Sequence, residues 1–120
     1  MAHEVWADPG FQWELAALPG EDRKAVEDAL PGLARHPADH PQTVRLKGSA
    51  YPGSFRLRVG RLRVLGLALD GPRLILLTTV FLKRRDSDYD AALLRHERRL
   101  KAQGPPLGDQ VKGAMKGRPR

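Results

Sequence analysis

The sequence contains no cysteine and no apolar run long enough to cross a membrane. Without cysteine, disulfide bridges, thiolate metal sites and cysteine nucleophiles are excluded. The longest apolar run, from Leu74 to Leu82, is interrupted by Thr78 and Thr79 and falls far short of the roughly 20 residues that a membrane span needs. The first residues also lack the basic and apolar segments of a secretion signal. We therefore expect a soluble cytoplasmic protein that has no membrane partner.

Metal-binding and cofactor-binding patterns are also lacking. His36 and His40 flank Asp39, but the two prolines beside them oppose the helix that would bring both imidazoles onto one face. Neither a phosphate-binding glycine loop nor a nucleophile elbow is present. The sequence predicts neither a metal site nor a cofactor.

Positive charge is concentrated in the middle and at the end of the chain. Residues 1–40 carry 3 basic and 8 acidic side chains, residues 41–100 carry 13 and 5, and residues 101–120 carry 5 and 1, which gives the net charge of +7. A basic region of this kind is the electrostatic footprint of nucleic-acid binding, although it equally suits an acidic protein partner.

Apolar spacing predicts a short first strand and two helices in the N-terminal part. The strand covers residues 4–7, and Asp8 caps a helix that has a proline in its first turn. A proline–glycine pair ends that helix, and the second helix begins with acidic residues, which its dipole favours. The apolar stripe of the second helix comprises Ala25, Val26, Ala29, Leu30 and Leu33. We expect an antiparallel helix pair, with Trp6 and Trp13 packed between strand, helix and sheet.

Three β-rich runs follow the helices, at residues 54–59, 61–69 and 73–82. Gly60 fits a tight reversal between the first two, and Asp70-Gly71 is a strong hairpin signal between the second and the third. Connections this short force neighbouring strands to be antiparallel. Together with a weaker alternating run at 43–47, the pattern predicts an antiparallel sheet of three or four strands.

A final amphipathic helix is expected after the basic turn at residues 83–85. Ser87 fits its N-cap, and Tyr89 and His96 share one face of it with two leucines. The composition of residues 103–120 is typical of a flexible basic tail. The sequence thus predicts an α+β domain over residues 1–102, in which an N-terminal strand and a two-helix hairpin precede the antiparallel sheet and a C-terminal helix.

Arginine alternates with apolar residues along the first of the three β-rich runs and again after Gly60. Because successive side chains of a strand point to opposite faces, Phe55 and Leu57 can enter a core while Arg56 and Arg58 line up outside it. Guanidiniums present planar donor forks that suit phosphate. The pattern predicts a surface that binds a polyanion, for which RNA is the leading candidate, or an acidic partner.

The order of these motifs is similar to that of the RelE/ParE superfamily of bacterial toxins. The similarity covers Val-Arg-Leu-Lys-Gly at 44–48, Phe-Arg-Leu-Arg-Val-Gly-Arg-Leu-Arg-Val at 55–64 and Lys-Arg-Arg-Asp-Ser-Asp-Tyr at 83–89. The N-terminal strand and helix pair agree in architecture. The resemblance implies the RelE-like microbial ribonuclease fold.

By this resemblance the catalytic residues are Arg58, Arg63, Lys83 and Tyr89, and the RNA-binding residues are Lys47, Arg56, Arg61, Arg84 and Arg85. Arg56 and Arg63 would hold the scissile phosphate, and Tyr89 would stack on or orient a base. Lys83 would be the acid, with Arg58 at the position of the base. Because a guanidinium is a poor proton acceptor, the opposite assignment with Lys83 as the base is equally open. Preorganised cations would make a metal ion unnecessary.

The resemblance implies the toxin of a type II toxin–antitoxin system, of the RelE/HigB kind, which acts as a metal-independent endoribonuclease on mRNA at the ribosome. An acidic cognate antitoxin would be its protein partner, and operator DNA would be contacted indirectly through that antitoxin. Two alternatives stay open: a ParE-like toxin that inhibits DNA gyrase, and a non-catalytic basic binding protein with the same fold. Alternating arginines also occur on solvated sheet faces, so the pattern alone does not decide.

Overall fold

The computed structural model describes residues 3–35, 40–69 and 71–103. Asp70 and nearly all of the predicted basic tail lie outside the described residues. The elements follow one another as β1 (Glu4–Ala7), α1 (Pro9–Ala16), α2 (Gly20–Arg35), β2 (Thr43–Arg45), β3 (Ser54–Val59), β4 (Leu62–Leu69), β5 (Leu74–Leu82) and α3 (Asp86–Ala102). Over these ranges none of the helices is long and apolar enough to cross a membrane.

The five strands form one sheet in the order β1-β5-β4-β3-β2. Strands β2 to β5 are an antiparallel meander, as predicted, and Gly60 turns the chain between β3 and β4 with a φ of 59°, which glycine tolerates. Strand β1 adds a fifth, parallel member beside β5, with Glu4 opposite Leu74. The predicted α+β fold is confirmed, and the sheet is mixed because its first strand joins the last.

Strand β5 is buried on both faces, as its apolar composition predicts. On one face Ile75 and Leu77 belong to a core that includes residues of α1 and α2. On the other face Leu74 and Leu76 pack in a second core with Leu100 of α3. The sheet is therefore the middle layer of the domain, with α1 and α2 on one side and α3 on the other.

A β-bulge at Thr78 changes which side chains of β5 face α3. The pairing with β4 shifts there by one residue, since the neighbouring pairs are Gly66–Leu77 and Leu65–Thr79. A bulge of this kind resets the alternation of side chains along its strand. Leu76 before the bulge and Phe81 after it consequently pack on the α3 side, although they are an odd number of residues apart.

Helices α1 and α2 cover their face of the sheet with an apolar stripe. Phe11, Val26 and Leu33 are buried there against Leu57 of β3. Burial of each of these side chains contributes roughly 1.5 to 3 kcal/mol to folding. The stripe predicted from sequence is confirmed at Val26 and Leu33, whereas Ala25 is exposed.

The predicted packing of the two tryptophans is wrong. Trp6 is 44% exposed and Trp13 is 76% exposed. On β1, Val5 and Ala7 contact the core, so alternation turns Trp6 to the opposite face. On α1, Phe11 faces the core, and two residues further along a helix the side chain of Trp13 points to the other side.

Helix α3 covers the second face of the sheet with three buried side chains, Ala92, His96 and Leu100. The helix begins at Asp86, so Ser87 lies inside its first turn and does not cap it. The carboxylate of Asp88 accepts hydrogen bonds from the backbone N–H groups of Arg84 (2.8 Å) and Arg85 (3.0 Å) instead. These bonds lower the pKa of Asp88 and fix the turn that leads from β5 into the helix.

Side chains occupy the edge of β5 beyond the end of β1. Strand β1 pairs with β5 only up to Leu77. Further along, Glu14 of α1 accepts a hydrogen bond from the backbone N–H of Val80 (3.2 Å), and Arg99 of α3 donates one to the carbonyl of Thr78 (2.8 Å). The unpaired edge is thereby satisfied by a carboxylate and a guanidinium, which also blocks it as a template for another strand.

Glu14 and Arg99 bind each other through two hydrogen bonds of 2.8 and 3.1 Å. The Nε atom of Arg95 lies 3.2 Å from the same carboxylate. Asp8 accepts from the backbone N–H of Gly10 (2.7 Å) as the cap of α1 and lies 4.0 Å from Arg99. We call Asp8, Glu14, Arg95 and Arg99 the Glu14 network; it joins α1 and α3 at the edge of the sheet.

We expect Glu14→Ala to lower the free energy of unfolding by about 2 to 3 kcal/mol, because it leaves the mostly buried guanidiniums of Arg95 and Arg99 without their carboxylate. Lys24→Ala removes an exposed ion pair with Asp28 and should cost less than about 0.5 kcal/mol. Urea unfolding followed by circular dichroism measures both. Equal losses in the two variants would contradict a structural role for the Glu14 network.

Candidate functional site

The arginines of β3 and β4 lie on the sheet face that α3 partly covers. Phe55 and Leu57 enter the core beneath α1 and α2, so alternation puts Arg56 and Arg58 on the opposite face. Arg58 of β3 is paired directly with Arg63 of β4. Side chains at such positions have Cβ atoms about 5 Å apart, and like charges there destabilise the sheet. Two arginines are therefore placed side by side on one face of the sheet, at a cost to the fold.

Two basic side chains lie near the ring of Tyr89. Its ring centroid is 5.2 Å from the guanidinium carbon of Arg56 and 5.7 Å from the ammonium nitrogen of Lys83, which are cation–π distances. Phe81 contacts it edge to face at 5.4 Å. The buried hydroxyl of Tyr89 has no hydrogen-bond partner among the residues that the structure describes. We call Arg56, Arg58, Arg63, Lys83 and Tyr89 the basic cluster.

Lys83 is positioned by the end of β5 and the start of α3. Its backbone N–H donates to the carbonyl of Arg61 (3.2 Å), which extends the pairing of β4 and β5 to the mouth of the cluster. Its ammonium lies 3.7 Å from the carboxylate of Asp86, and the side chain is 30% exposed. Asp86 itself is fully exposed, so this ion pair contributes little to stability.

Arg63 folds back over the β3–β4 turn. One terminal nitrogen of its guanidinium donates to the carbonyls of Gly60 and Leu62, each at 2.9 Å. These bonds fix the direction of the side chain beside Arg58. The fork of Arg63 is thus held by the turn before any ligand arrives, which lowers the entropic cost of binding an anion.

The remaining RNA-binding candidates are spread around the cluster. Arg84 and Arg85 are exposed in the turn before α3, and Lys47 is exposed in the connection after β2. Arg61 is turned away, because its guanidinium lies 3.6 Å from the carboxylate of Asp22 on α2. The structure therefore brings Arg56 and Lys83 to the ring of Tyr89, places Arg58 and Arg63 side by side on the same sheet face, and separates Arg61 from them.

An apolar groove lies on the other side of the sheet. It has a volume of about 660 Å³ and is lined mainly by side chains of α1 and α2, including Phe11, Leu15 and Leu30. Its charged lining is limited to Arg23 and Glu27 on α2. No group of three or more potential metal ligands occurs in the part of the chain that the structure describes. The basic cluster is accordingly the stronger candidate for chemistry.

The architecture matches solved structures of RelE toxins. The isolated RelE toxin of E. coli superposes with a TM-score of 0.60 at 18% identity, over 78% of this chain and 98% of that chain. This chain has the RelE fold. Two complexes match it similarly. A chain in the RelE–RelB complex of Pyrococcus horikoshii has a TM-score of 0.62 at 18% identity, over 71% of this chain and 99% of that chain. A chain in the RelBE2 toxin–antitoxin complex of Mycobacterium tuberculosis has a TM-score of 0.61 at 21% identity, over 69% of this chain and 93% of that chain. No family model and no curated protein sequence matches the chain.

This RelE fold contains a buried polar cluster that the sequence pattern does not reveal. His96 of α3 is fully buried, with Nδ1 2.7 Å from the hydroxyl of Thr78 and Nε2 2.9 Å from the hydroxyl of Ser54. Ser54 is 2.9 Å from the hydroxyl of Ser49, which donates to Glu97 at 3.0 Å. We call these five residues the His96 network. Burial lowers the pKa of His96 to about 4, so the imidazole is neutral at pH 7.

The stability of the protein should fall in acid through His96. The unfolded chain binds this proton with the ordinary histidine pKa of 6.5 and the folded protein only near 4. The contribution of neutral His96 to the free energy of unfolding is therefore fully present above pH 6.5. It is lost as the pH falls towards 4, and the total loss is roughly 3 kcal/mol. Urea unfolding between pH 7 and 4 should give a flatter curve for His96→Gln than for the unmodified protein. Parallel curves would contradict the buried neutral state of His96.

Proposed function

We propose that this protein is the toxin of a toxin–antitoxin pair and a metal-independent endoribonuclease that cleaves mRNA at the ribosome. The observation that carries the proposal is the basic cluster, in which Arg56 and Lys83 flank Tyr89 and the paired Arg58 and Arg63 lie on the same face of a RelE fold. A sheet that only needed a solvated face would gain nothing from pairing Arg58 directly with Arg63. A bound polyanion removes that repulsion.

RNA cleavage by its own 2′-hydroxyl needs three things: deprotonation of that hydroxyl, stabilisation of the charge on the phosphorane, and protonation of the leaving 5′-oxygen. Arg56 and Arg63 provide the second, because their guanidinium forks match phosphate oxygens. Arg63 is already oriented by Gly60 and Leu62. Such preorganised donors stabilise a developing charge without reorganising during the reaction.

Lys83 is the proton-transfer residue of the proposed mechanism. As an ammonium it protonates the leaving 5′-oxygen while water takes the proton of the 2′-hydroxyl. In the opposite assignment its amine takes that proton while water protonates the leaving oxygen. Among the four cations of the basic cluster it is the one whose charged form can release a proton, since guanidiniums stay protonated in proteins. Its position beside Asp86 and Tyr89 places the amine at the rim of the cluster, within reach of the sugar-phosphate backbone of a bound RNA. Arg58 then contributes charge rather than proton transfer.

Tyr89 is the platform for a base. Arg56 and Lys83 lie near its ring in the free protein. Stacking of an unpaired base on the ring is worth roughly 1 to 3 kcal/mol and replaces a cation–π contact of similar size. A base that takes this place releases a cation from the ring, and the released cation becomes available to the adjacent phosphate.

A cognate antitoxin is the proposed protein partner. RelE chains of the same fold have been solved together with RelB from several organisms. An acidic antitoxin that covers the basic cluster would block RNA, and charge complementarity would make the association fast and dependent on salt. Any contact with operator DNA would then run through the antitoxin.

The test compares two substitutions of Lys83 in a cleavage assay with translating ribosomes. Lys83→Arg keeps the charge but removes proton transfer, so it should retain ribosome binding and lower cleavage by at least about a hundredfold, within the range that general acid–base catalysis supplies. Lys83→Met should lose both. Lys24→Arg, on the exposed side of α2, is the matched control and should cleave normally.

Full cleavage by Lys83→Arg would assign Lys83 a purely electrostatic role. Full cleavage by both Lys83→Met and Arg63→Ala would refute the proposed site. If the unmodified protein cleaves no RNA with ribosomes present and instead blocks DNA supercoiling by gyrase, the ribonuclease proposal is wrong and the ParE-like alternative is supported.

A further inference from the structure

The His96 network runs from the surface to the bulge of β5 with a definite direction. The carboxylate of Glu97 accepts, so the Ser49 hydroxyl donates to it. Ser49 then accepts from Ser54, and Ser54 accepts from Nε2–H of His96. Nδ1 is left to accept from Thr78, which lies nearer to it (2.7 Å) than to the carbonyl of Leu65 (3.2 Å). Both ring nitrogens are satisfied in one neutral tautomer.

These bonds connect α3 to two strands at once. Ser54 is the first residue of β3, and Thr78 is the bulge residue of β5. Glu97 also accepts from the backbone N–H of Ala50 at 3.1 Å, which ties the β2–β3 connection to the same helix. The helix is thereby fixed in the middle of its length by directional contacts.

The apolar contacts of α3 do not fix its position equally well. Its buried apolar side chains near the network are Ala92 and Leu100, and Leu94 is 70% exposed. Burial of apolar surface is non-directional, so these two side chains tolerate a small slide or rotation of the helix. Directional contacts come from the Glu14 network at the sheet edge, through Arg95 and Arg99, and from the His96 network between the helix and the sheet. Hydrogen bonds weaken steeply when their angle or length changes, so they resist such a movement of the helix.

The basic cluster is adjacent to the network on both elements. Arg56 is two residues after Ser54 on β3, about 7 Å along the strand. Tyr89 is seven residues before His96, two turns or about 10 Å along the helix, and on the same face. Contacts between Ser54 and His96 and between Arg56 and Tyr89 are therefore neighbouring links between the same strand and the same helix.

We propose that His96 is a positioning residue, whose hydrogen bonds to Ser54 and Thr78 set the register of α3 on the sheet and so hold Tyr89 against Arg56 and Lys83. As far as catalysis is concerned, this inference rests on the proposed ribonuclease function. The placement of Tyr89 is independent of it. An apolar residue would fill the same space at a lower desolvation cost, but it would supply no angular constraint.

The test reads the position of Tyr89 directly. The chain has two tyrosines, so ring-labelled tyrosine gives a simple NMR spectrum that Tyr51→Phe assigns. Ser54→Ala removes one hydroxyl, and His96→Asn keeps an amide near the place of Nδ1 while losing the group at Nε2. We expect both to shift the ring signals of Tyr89 and weaken its contact with Arg56. His96→Gln restores a polar group near the place of Nε2, so its Tyr89 ring signals and its Tyr89–Arg56 contact should lie closer to those of the unmodified protein.

Ribosome-dependent cleavage supplies the second readout. Ser54→Ala and His96→Asn should lower kcat about tenfold to a hundredfold with little change in KM, as a small misplacement of catalytic groups does. Val26→Ala is the control: it weakens the core on the other face of the sheet and leaves α3 untouched. Its Tyr89 signals and kcat should stay unchanged when the protein is fully folded at the assay temperature.

Unchanged Tyr89 signals in folded Ser54→Ala would overturn the proposal, even if His96→Asn failed to fold. Losses of kcat in Ser54→Ala no larger than in Val26→Ala would overturn it too, because they would reflect stability alone. Shifted Tyr89 signals in a protein that cleaves no RNA even without substitution would support the positioning role of His96 and refute the ribonuclease function.

Discussion

Strand β5 is buried on both faces, and the elements on either side of the sheet are arranged to cover it. One side needs apolar cover, which α1 and α2 provide, and the other side needs α3. Its edge needs hydrogen-bond partners where β1 ends, and Glu14 and Arg99 supply them. The bulge at Thr78 then turns Phe81 towards α3, where it contacts Tyr89. The site therefore depends on an irregularity in the most buried strand of the protein.

Local patterns explain why much of the fold is predictable. Alternation, short turns and capping signals act between residues close in sequence, and they determine the meander, the helix pair and the direction of each arginine on β3. The parallel pairing of β1 with β5 is not encoded in this way, because the two strands are far apart in the sequence. The two tryptophans illustrate the same limit: size suggested burial for Trp6 and Trp13, whereas their place in the alternation of β1 and α1 decides their exposure.

The basic cluster was predictable to a similar degree and for the same reason. Arg56, Arg58 and Arg63 are placed by strand alternation and by one tight turn. Arg61 lies in that turn, and its direction depends on Asp22 of a distant helix, which no local pattern contains. His96 is the extreme case, since its partners are on two strands and its face of α3 looks like any apolar stripe with one polar member. Polar groups that position a site from within the core leave little trace in the sequence.

The pairing of Arg58 with Arg63 has a consequence for how the protein responds to its solvent. Added salt screens the repulsion between the two guanidiniums and so favours the folded state of the free protein. The same salt weakens the attraction of the cluster for any polyanion, because the release of counterions on binding is worth less. Through this pair, ionic strength acts on folding and on polyanion binding in opposite directions. Salt that relieves the Arg58–Arg63 repulsion in the free protein therefore also makes a bound polyanion harder to detect.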